Sequence, residues 1–391
     1  MSDVLFEVRK ENLETGLRGY PVGYCTTSSV DPVKGLFYAG HPVSEIDQWD
    51  PEQVIYLLYT GKEGNADEVA NFSKELQSRS KCSQGLIDSI EKLPRLAHPM
   101  KLFSAALLLA ESFEGVDDYR EDCLNLIAKV PEIAATVINY HAGWGGTKPS
   151  DPTLGYMGNF LHMLNVPEAD QSKLLLALTL FNILHYDHGG GNLSAFIGKA
   201  VASGLEDLYG SMAAAMCALA GPRHGKANQD ALEFVRKLVD EIGETASEEQ
   251  VESALRAKLE NNELLFGFGH AVLRTEDPRA TLLYRVTEET SPDHPLVRMA
   301  HLLRKAGTKI LKENPKVSDP YPNVDAISGV MLTAAGFPYP DYYTVLFGMA
   351  RVVGISRQIV YEREEAREGK GTPIVRPKYL FKDRSADLVN S

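Results

Sequence analysis

The sequence lacks the features that mark membrane proteins and disulfide-bonded secreted proteins. Its longest apolar run, residues 174–184, is interrupted by Thr179 and Asn182. It therefore falls well short of the roughly 18 to 20 residues that a membrane span requires. The four cysteines, at positions 25, 82, 123 and 217, are far apart and form no redox-type or metal-type pair. Cysteines of this kind are typical of a reducing compartment.

The sequence also has fewer positively than negatively charged residues. The chain has 40 Lys and Arg residues against 53 Asp and Glu residues, a formal net charge of -13. This balance argues against a surface that binds duplex nucleic acid, because such binding depends mainly on neutralising phosphates. An anionic ligand would need a local cluster of arginines. The first residues include acidic side chains and lack a basic-then-apolar signal pattern, so we expect a cytoplasmic protein.

What is present is the composition of a folded protein with a sizeable core. Of the 391 residues, 44% are hydrophobic and 24% are charged. A chain of this length exceeds the size at which one core usually stops growing, so we expect two domains. Helical periodicity dominates, and no β–α alternation is sustained, so the predicted fold class is all-α. The clearest predicted helices lie at 51–59, 66–77, 100–112, 172–185, 247–259 and 295–310.

Two local features complete the secondary-structure prediction. Short apolar-aromatic runs at 20–27 and 36–38 flank a turn-like insert at 31–35, which predicts a small N-terminal β-hairpin. The pattern Ser-Glu-Glu-Gln at 247–250 predicts a capping box at the start of a helix. Residues 366–391 are polar and contain proline, so we expect an extended tail.

Residues 219–228 present a histidine at a break between two helical patterns. A run of small apolar residues ends at Gly221 and Pro222, and Gly225 leaves room for a ligand to approach the backbone. His224 stands between these breakers. A solvated loop explains the segment equally well when it is taken alone, so its role depends on partners elsewhere in the chain.

Further segments combine ionisable residues with glycine or proline, and each has a simpler explanation when taken alone. Gly267 and Gly269 lack the third glycine and the preceding strand of a dinucleotide fingerprint. His185 and His188 have the spacing of metal ligands on one helix face. Because no Glu or Cys lies nearby at ligand spacing, we expect no metal site.

As an ordered set, these segments resemble the citrate synthase family. The resemblance runs from about residue 18 to residue 378, and no single motif carries it. The matching segments are Ala-Gly-Pro-Arg-His-Gly-Lys-Ala-Asn at 220–228, Gly-Phe-Gly-His-Ala-Val-Leu-Arg at 267–274 with Asp-Pro-Arg at 277–279, Pro-Asn-Val-Asp at 322–325, His-Gly-Gly-Gly-Asn at 188–192, Tyr-Thr-Val-Leu-Phe-Gly at 343–348 with Arg351, and Arg-Pro-Lys at 376–378.

The resemblance implies a multi-helical two-domain fold and a condensation reaction. Residues 1–224 and 336–391 would form a large helical domain, and residues 225–335 a small one. The expected reaction joins acetyl-CoA, oxaloacetate and water to give citrate and CoA. Acetyl-CoA is then a cosubstrate, and no cofactor is tightly bound. The resemblance also implies a homodimer whose active sites are shared across subunits, with no nucleic-acid or membrane partner.

The same resemblance assigns the catalytic roles to His224, His270 and Asp325. Asp325 would remove a proton from the carbon next to the thioester, which is feasible only if the developing enolate oxygen is stabilised. His224 would donate a hydrogen bond to that oxygen, as an oxyanion hole does. His270 would polarise the ketone of oxaloacetate for attack.

Substrate ligands follow from the resemblance as well. Planar, permanently charged guanidinium groups suit the oxaloacetate dianion. The implied oxaloacetate ligands are His188, Arg279, Arg351 and Arg376, the last reaching into the partner's site. The implied CoA ligands are Gly267 and Gly269 at the adenine, Arg274 at a phosphate, and Arg18 and Lys316 as further contacts.

The chain departs from the family pattern at several positions. Arg223 stands where family members commonly have leucine, beside the key histidine, and either adds positive potential there or points away. Ile327 replaces a histidine or tyrosine. Ser318 replaces a lysine of some members, which leaves Lys316 as a substitute. The chain before Arg18 is short for the extra N-terminal domain of NADH-inhibited members, so we do not expect that regulation.

Two other functions stay open at this stage, and a metal-dependent hydrolase is a third option that loss of activity on chelation would favour. A 2-methylcitrate synthase would have the same fold and catalytic residues but would use propionyl-CoA, and a methylene-sized difference is worth only about 1 to 3 kcal/mol. A catalytically dead helical CoA-binding protein would bind ligand without turnover.

Overall fold

The structure is a computed structural model that describes residues 4–167 and 170–381. Within those ranges it contains fifteen α-helices and one small antiparallel sheet, so the predicted all-α fold class is confirmed. The helices are α1 Pro51–Thr60, α2 Ala66–Arg79, α3 Gln84–Ile90, α4 Pro99–Glu114, α5 Tyr119–Ala142, α6 Tyr156–Met163, α7 Gln171–His185, α8 Leu193–Ala202, α9 Leu208–Leu219, α10 Ala227–Ile242, α11 Glu248–Glu260, α12 Pro278–Thr290, α13 Pro295–Lys312, α14 Asp325–Ala334 and α15 Tyr343–Val360.

Prolines and polar caps explain where many of these helices begin. Proline occupies the first turn of α1, α4, α12 and α13, where a missing N–H costs nothing. Aspartate side chains accept first-turn N–H groups at α5, α7, α9 and α12. The predicted capping box of α11 is confirmed, since Ser247 Oγ accepts the Gln250 N–H and Gln250 Oε1 accepts the Ser247 N–H.

The N-terminal sheet consists of β1 Ser28–Asp31, β2 Gly35–Tyr38 and β3 His41–Pro42, in the order β1-β2-β3. The predicted hairpin is therefore confirmed, but the position of its first strand was wrong, because residues 20–27 form no strand. β2 ends at Tyr38, which pairs with Ser28, and positive φ angles at Ala39 and Gly40 then turn the chain. The ladder of β1 therefore begins at Ser28, and beyond it only the Thr27 carbonyl accepts a backbone N–H, that of Ala39 at 2.8 Å, among the described residues 20–27.

Helix α5 was not predicted from the sequence. It is 24 residues long, contains Pro131 in its interior, and is buried around most of its circumference. A helix without an exposed face has no amphipathic period to recognise.

Residues 373–381 form neither helix nor strand, as expected for the tail, and its residues 382–391 lie outside the described part of the chain.

The functional segments lie where two sets of helices meet. Helix α15 packs on α5, α7, α8 and α9, whereas α10, α11, α13 and α14 pack on one another and α12 packs on α14. Helices α7 and α14 contact each other across this junction. The division into residues 1–224 with 336–391 and residues 225–335 remains a prediction. Within the described residues, no helix is both long and apolar enough to cross a bilayer.

Candidate active site

Six of the predicted site residues converge near this junction, five of them in loops or first helical turns and Arg351 in the interior of α15. His188 follows α7, His224 lies between α9 and α10, and His270 lies between α11 and α12. The His188 and His270 rings are 5.1 Å apart between centroids. Phe347 lies between His224 and Arg351. Its ring centroid is 6.3 Å from that of His224 and 4.6 Å from the Arg351 guanidinium carbon. The remaining two, Arg279 and Asp325, begin α12 and α14.

The His224 ring is fixed by residues at the start of α8. The Ser194 N–H donates to its Nε2 at 3.3 Å, and Ser194 Oγ lies 2.9 Å from the same nitrogen. Because Nε2 accepts a backbone N–H, the proton of the neutral ring is on Nδ1. Burial, with a smaller contribution from the charge of Arg351, lowers the pKa of His224 to about 4. His224 is therefore a neutral hydrogen-bond donor at neutral pH.

The His270 ring has the opposite tautomer. Its Nδ1 accepts the N–H groups of Val272 at 3.1 Å and Leu273 at 3.0 Å, which leaves the ring proton on Nε2. Burial, followed by the charge of Arg279, lowers the pKa of His270 to about 4. This ring too is a neutral donor at neutral pH.

Asp325 is the first residue of α14, where the helix N-terminus carries a partial positive charge. Its N–H donates to Asn323 Oδ1 at 3.0 Å. Burial raises the pKa of Asp325 to about 6, an effect that the charge of Arg279 opposes. A carboxylate with such a pKa is mostly ionised at neutral pH and is basic enough to accept a proton.

Arg279 and Arg351 place two buried positive charges beside these groups. Asp277 and Arg279 form an ion pair at 2.7 Å, with 1% and 4% of their side chains exposed. Burial would by itself raise the pKa of Asp277, but Arg279 holds it below its usual value. Arg351 is 2% exposed and donates from Nε to the His185 carbonyl at 2.9 Å. Burial lowers the pKa of Arg351 to about 10, so its guanidinium stays charged at neutral pH.

His188 has a polar atom that is left without a partner. Among the described residues, nothing forms a hydrogen bond with its buried Nε2. Burial and the charges of Arg279 and Arg351 hold the pKa of His188 well below its ordinary value. A buried polar group of this kind is costly unless a ligand or water satisfies it.

The loop at 267–269 is tied to the start of α14. Gly267 and Gly269 both have φ of 82°, a conformation that favours glycine. Asn323 connects the two elements, since its N–H donates to the Gly267 carbonyl at 2.9 Å and its Nδ2 to the Gly269 carbonyl at 2.8 Å. A Cβ at Gly267 would lie 2.8 Å from the Cα of Ala326, the residue after Asp325.

Among the described residues, the other predicted cationic ligands form no hydrogen bond or ion pair with the side chains of this cluster. Arg274 is exposed and donates to the carbonyls of residues 270, 272 and 273. Arg18, Lys316 and Arg376 are exposed, and none of them forms an ion pair within the described residues. Arg376 lies on a segment whose neighbour Val375 donates its N–H to Ser203 Oγ at 2.9 Å.

The positions that depart from the family pattern also have clear locations. Arg223 is exposed and forms no ion pair within the described residues, so its role beside His224 stays a prediction. Ile327 lies in α14 and is fully buried, and Ser318 is exposed.

Three residues that hold the site groups were not predicted from the sequence. Ser194 fixes the tautomer of His224, Asp277 pairs with Arg279, and Asn323 joins the glycine loop to Asp325. Asp277 and Asn323 lie inside recognised motifs and could have been suspected from that position. Ser194 could not, because its contact with His224 spans 30 residues.

His185 has a structural position. Its ring stacks on Phe181 with centroids 4.2 Å apart, and its Nδ1 donates to the Phe181 carbonyl at 2.6 Å. It does not share a metal-binding face with His188. Among the described residues, no three His, Cys, Asp or Glu side chains cluster in a way that would hold a metal ion.

The fold and the site together define a class: an all-α enzyme whose neutral histidines, carboxylate and arginines meet at a junction of helices. A family model described as "Citrate synthase, C-terminal domain" matches residues 16–378. The chain belongs to the citrate synthase family. It is accordingly a transferase of the citrate (Si)-synthase type, in a family for which acetyl-CoA is a cosubstrate and no cofactor is tightly bound.

Individual relatives agree with the family assignment. Mitochondrial citrate synthase of Citrus maxima is 37% identical over 392 residues, covering 94% of this chain and 82% of the relative. Peroxisomal citrate synthase of Saccharomyces cerevisiae is 32% identical, covering 100% of this chain and 88% of the relative. These names do not support the predicted cytoplasmic location, which stays a prediction.

Solved structures of citrate synthases share the fold. The enzyme of Thermotoga maritima superposes with a TM-score of 0.79 at 28% identity, covering 94% of this chain and 95% of that chain. A ternary complex of the Thermoplasma acidophilum enzyme with carboxymethyl coenzyme A and oxaloacetate gives a TM-score of 0.77 at 26% identity, covering 95% of this chain and 98% of that chain.

Proposed function

We propose that this chain condenses acetyl-CoA with oxaloacetate and water to form citrate and CoA. The observation that carries the proposal is the chemical state of three groups at one junction of helices. His224 and His270 are neutral donors of opposite tautomer, and Asp325 is a carboxylate with a pKa of about 6. This combination fits a reaction in which a carbon acid loses a proton beside a carbonyl oxygen that gains charge.

Asp325 is the proposed base. The methyl hydrogen of a thioester is only weakly acidic, so its removal needs a base of raised pKa and a stabilised enolate. Burial supplies the first requirement by raising the pKa of Asp325 to about 6. The carboxylate accepts the proton and becomes a neutral acid, a change that a buried site favours.

His224 supplies the second requirement. With its Nε2 occupied by the Ser194 N–H, its Nδ1–H is the group that donates to the thioester oxygen. A neutral donor stabilises the developing oxyanion through a hydrogen bond and keeps its own proton. His270 acts in the same way on oxaloacetate, because its Nε2–H is directed to the ketone oxygen while the two backbone N–H groups hold Nδ1.

Oxaloacetate binds, in this proposal, between His188 and the arginines. Arg351 makes no ion pair within the described residues, and His188 Nε2 has no partner there, so both gain a partner when a dianion binds. Arg279, held in place by Asp277, adds positive charge. Arg376 of the partner subunit completes the carboxylate contacts, which agrees with its exposed position outside the cluster of its own chain.

Acetyl-CoA is proposed to lie along the 267–269 loop. The glycine backbone there is open to a planar adenine, while exposed Arg274, Arg18 and Lys316 supply positive charge for the phosphates.

Residues 225–335 would form a small domain that closes over oxaloacetate, in a homodimer located in the cytoplasm. Hydrolysis of citryl-CoA then releases citrate and CoA.

Release of CoA in the presence of oxaloacetate tests this function. We expect thiol release from acetyl-CoA that depends on oxaloacetate and persists after treatment with a chelator. Absence of release under these conditions would favour a catalytically dead CoA-binding protein. A kcat/KM higher for propionyl-CoA than for acetyl-CoA would instead assign 2-methylcitrate synthesis.

A further inference from the structure

Asp187 is a buried carboxylate next to His188, the proposed oxaloacetate ligand. It is 0% exposed and lies in the short link between α7 and the glycine run at 189–191. An uncompensated buried carboxylate is costly. Within the described residues Asp187 forms no ion pair, so hydrogen bonds must satisfy its charge.

Both carboxylate oxygens are fully used. Oδ1 accepts the His188 N–H at 2.8 Å and Nε2 of Gln358 at 2.8 Å. Oδ2 accepts the hydroxyl of Ser28 at 2.8 Å and the hydroxyl of Thr27. Asp187 thereby joins the start of β1, the end of α7 and the interior of α15.

The Ser28 hydroxyl extends this network to the next peptide. Ser28 Oγ accepts the Gly189 N–H at 2.7 Å while it donates to Asp187. The N–H groups of His188 and Gly189 are therefore each held by one member of the pair Asp187 and Ser28. These two peptides set the backbone from which the His188 ring projects toward His270.

The packing around Asp187 leaves it no freedom to move. A Cβ added at Gly354 of α15 would lie 2.5 Å from Asp187 Cγ, so the helix backbone touches the carboxyl group directly. Arg351 lies one helical turn before Gly354, and the negative charge of Asp187 opposes the lowering of the Arg351 pKa by burial. The Asp187 carboxylate thus lies next to two of the proposed oxaloacetate ligands, His188 and Arg351.

We infer that Asp187 is a positioning residue for oxaloacetate binding. Together with Ser28 it fixes the backbone of His188, and its negative charge attracts the Arg351 guanidinium. This inference rests on the proposed function. It assigns Asp187 to substrate binding through other residues, since both of its own carboxylate oxygens are already occupied.

The test is the variant Asp187→Asn, which keeps the shape of the side chain and removes its charge. The hydroxyls of Thr27 and Ser28 can rotate to accept from the new amide, so the fold is preserved. We expect the KM for oxaloacetate to rise at least about tenfold, because reversing the hydrogen bonds of Thr27 and Ser28 shifts the peptides that hold His188, and a slightly misplaced ligand is costly. The KM for acetyl-CoA and the melting temperature should stay close to those of the wild type.

A matched control is Asp122→Asn. Asp122 is also buried, at 3% exposure, but its carboxylate accepts the Val116 N–H near the start of α5. The control should leave the KM for oxaloacetate unchanged. If Asp187→Asn lowers kcat and melting temperature while the oxaloacetate KM stays at the wild-type value, Asp187 is only structural and the inference is wrong.

Ser28→Ala keeps the inference testable if Asp187→Asn does not fold. It removes the acceptor of the Gly189 N–H and one hydrogen bond to Asp187, so the oxaloacetate KM should again rise. An unchanged KM would contradict the inference. The wild type is measured in the same assay: if it forms no citrate, the proposed function fails, whereas normal wild-type turnover with an unchanged KM in the variants overturns the positioning role alone.

Discussion

At the scale of single residues, the site depends on how burial and hydrogen bonds set protonation states. Burial opposes the charged form of every group, and its effect differs with the sign of that charge. It raises the pKa of Asp325 to about 6 and lowers the pKa values of His224 and His270 to about 4. One environment thus provides a stronger base and two neutral donors.

This arrangement predicts the pH dependence of catalysis. The base must be ionised, so kcat/KM should rise with pH and reach half its plateau near pH 6, the pKa of Asp325. The histidines add no inflection there, because their pKa values near 4 keep them neutral throughout that range. A pH–rate profile measures this, and a midpoint near 4, the usual range of an exposed carboxyl, would contradict the role of burial.

Substitution of the base tests the same residue directly. Asp325→Ala should lower kcat by about 10²- to 10⁴-fold, the range typical of a lost general base. Oxaloacetate binding, followed by calorimetry, should be largely retained, because His188, Arg279 and Arg351 are unchanged. Near-normal turnover in the variant would remove Asp325 from the role of base.

At the scale of elements, the site depends on loops that hold helix ends together. The 267–269 loop is bonded through Asn323 to the first residue of α14, so any shift of the loop moves Asp325. Gly267 is the tightest point of this contact, since both its positive φ and the nearby Ala326 backbone exclude a side chain.

Gly267→Ala should therefore lower kcat/KM by at least about tenfold, because catalytic geometry tolerates little displacement. Gly243→Ala is the matched control. Gly243 has a similar φ of 88° but nothing within 4 Å of an added Cβ, so only a modest loss of stability is expected there. Steady-state kinetics of the two variants make the comparison, and equal effects on activity would mean that backbone strain alone explains the Gly267 result.

Elements with a local signature could be predicted from the sequence. The capping box at Ser247, the proline-started helix at Pro295 and the hairpin turn at 31–35 each depend on neighbouring residues only. Helix α5 could not, because burial around it removes the amphipathic period. The first strand was misplaced because its length is set by β2, its partner.

The candidate site divides in the same way. His224, His270 and Asp325 were selected through ordered motifs, and the structure brings them close to His188, Arg279 and Arg351. Ser194 and Asp187 act through contacts with residues far away in the sequence, such as that between Ser28 and Asp187. No local pattern reports contacts of that range.

At the scale of the whole molecule, the proposal requires two subunits. Arg376 is exposed and outside the cluster of its own chain, so its proposed role in oxaloacetate binding depends on a partner. Arg376→Ala should raise the oxaloacetate KM, because one guanidinium contact to a carboxylate is lost.

Mixed dimers decide whether that contact crosses subunits. Asp325→Ala and Arg376→Ala subunits are each weakly active alone, but a heterodimer of the two contains one site with both residues intact if Arg376 acts on the partner. We expect activity to recover to roughly half the wild-type value per heterodimer. No recovery would assign Arg376 to the site of its own chain.

In the proposed condensation, the acetyl methyl carbon forms a carbon–carbon bond with oxaloacetate. Reaction with acetyl-CoA carrying a labelled methyl carbon, followed by NMR of the products, tests it most directly. We predict one citrate for each CoA released, with the label in a methylene group of citrate. Label recovered as acetate, or CoA release that does not require oxaloacetate, would contradict the claim and indicate simple thioester hydrolysis.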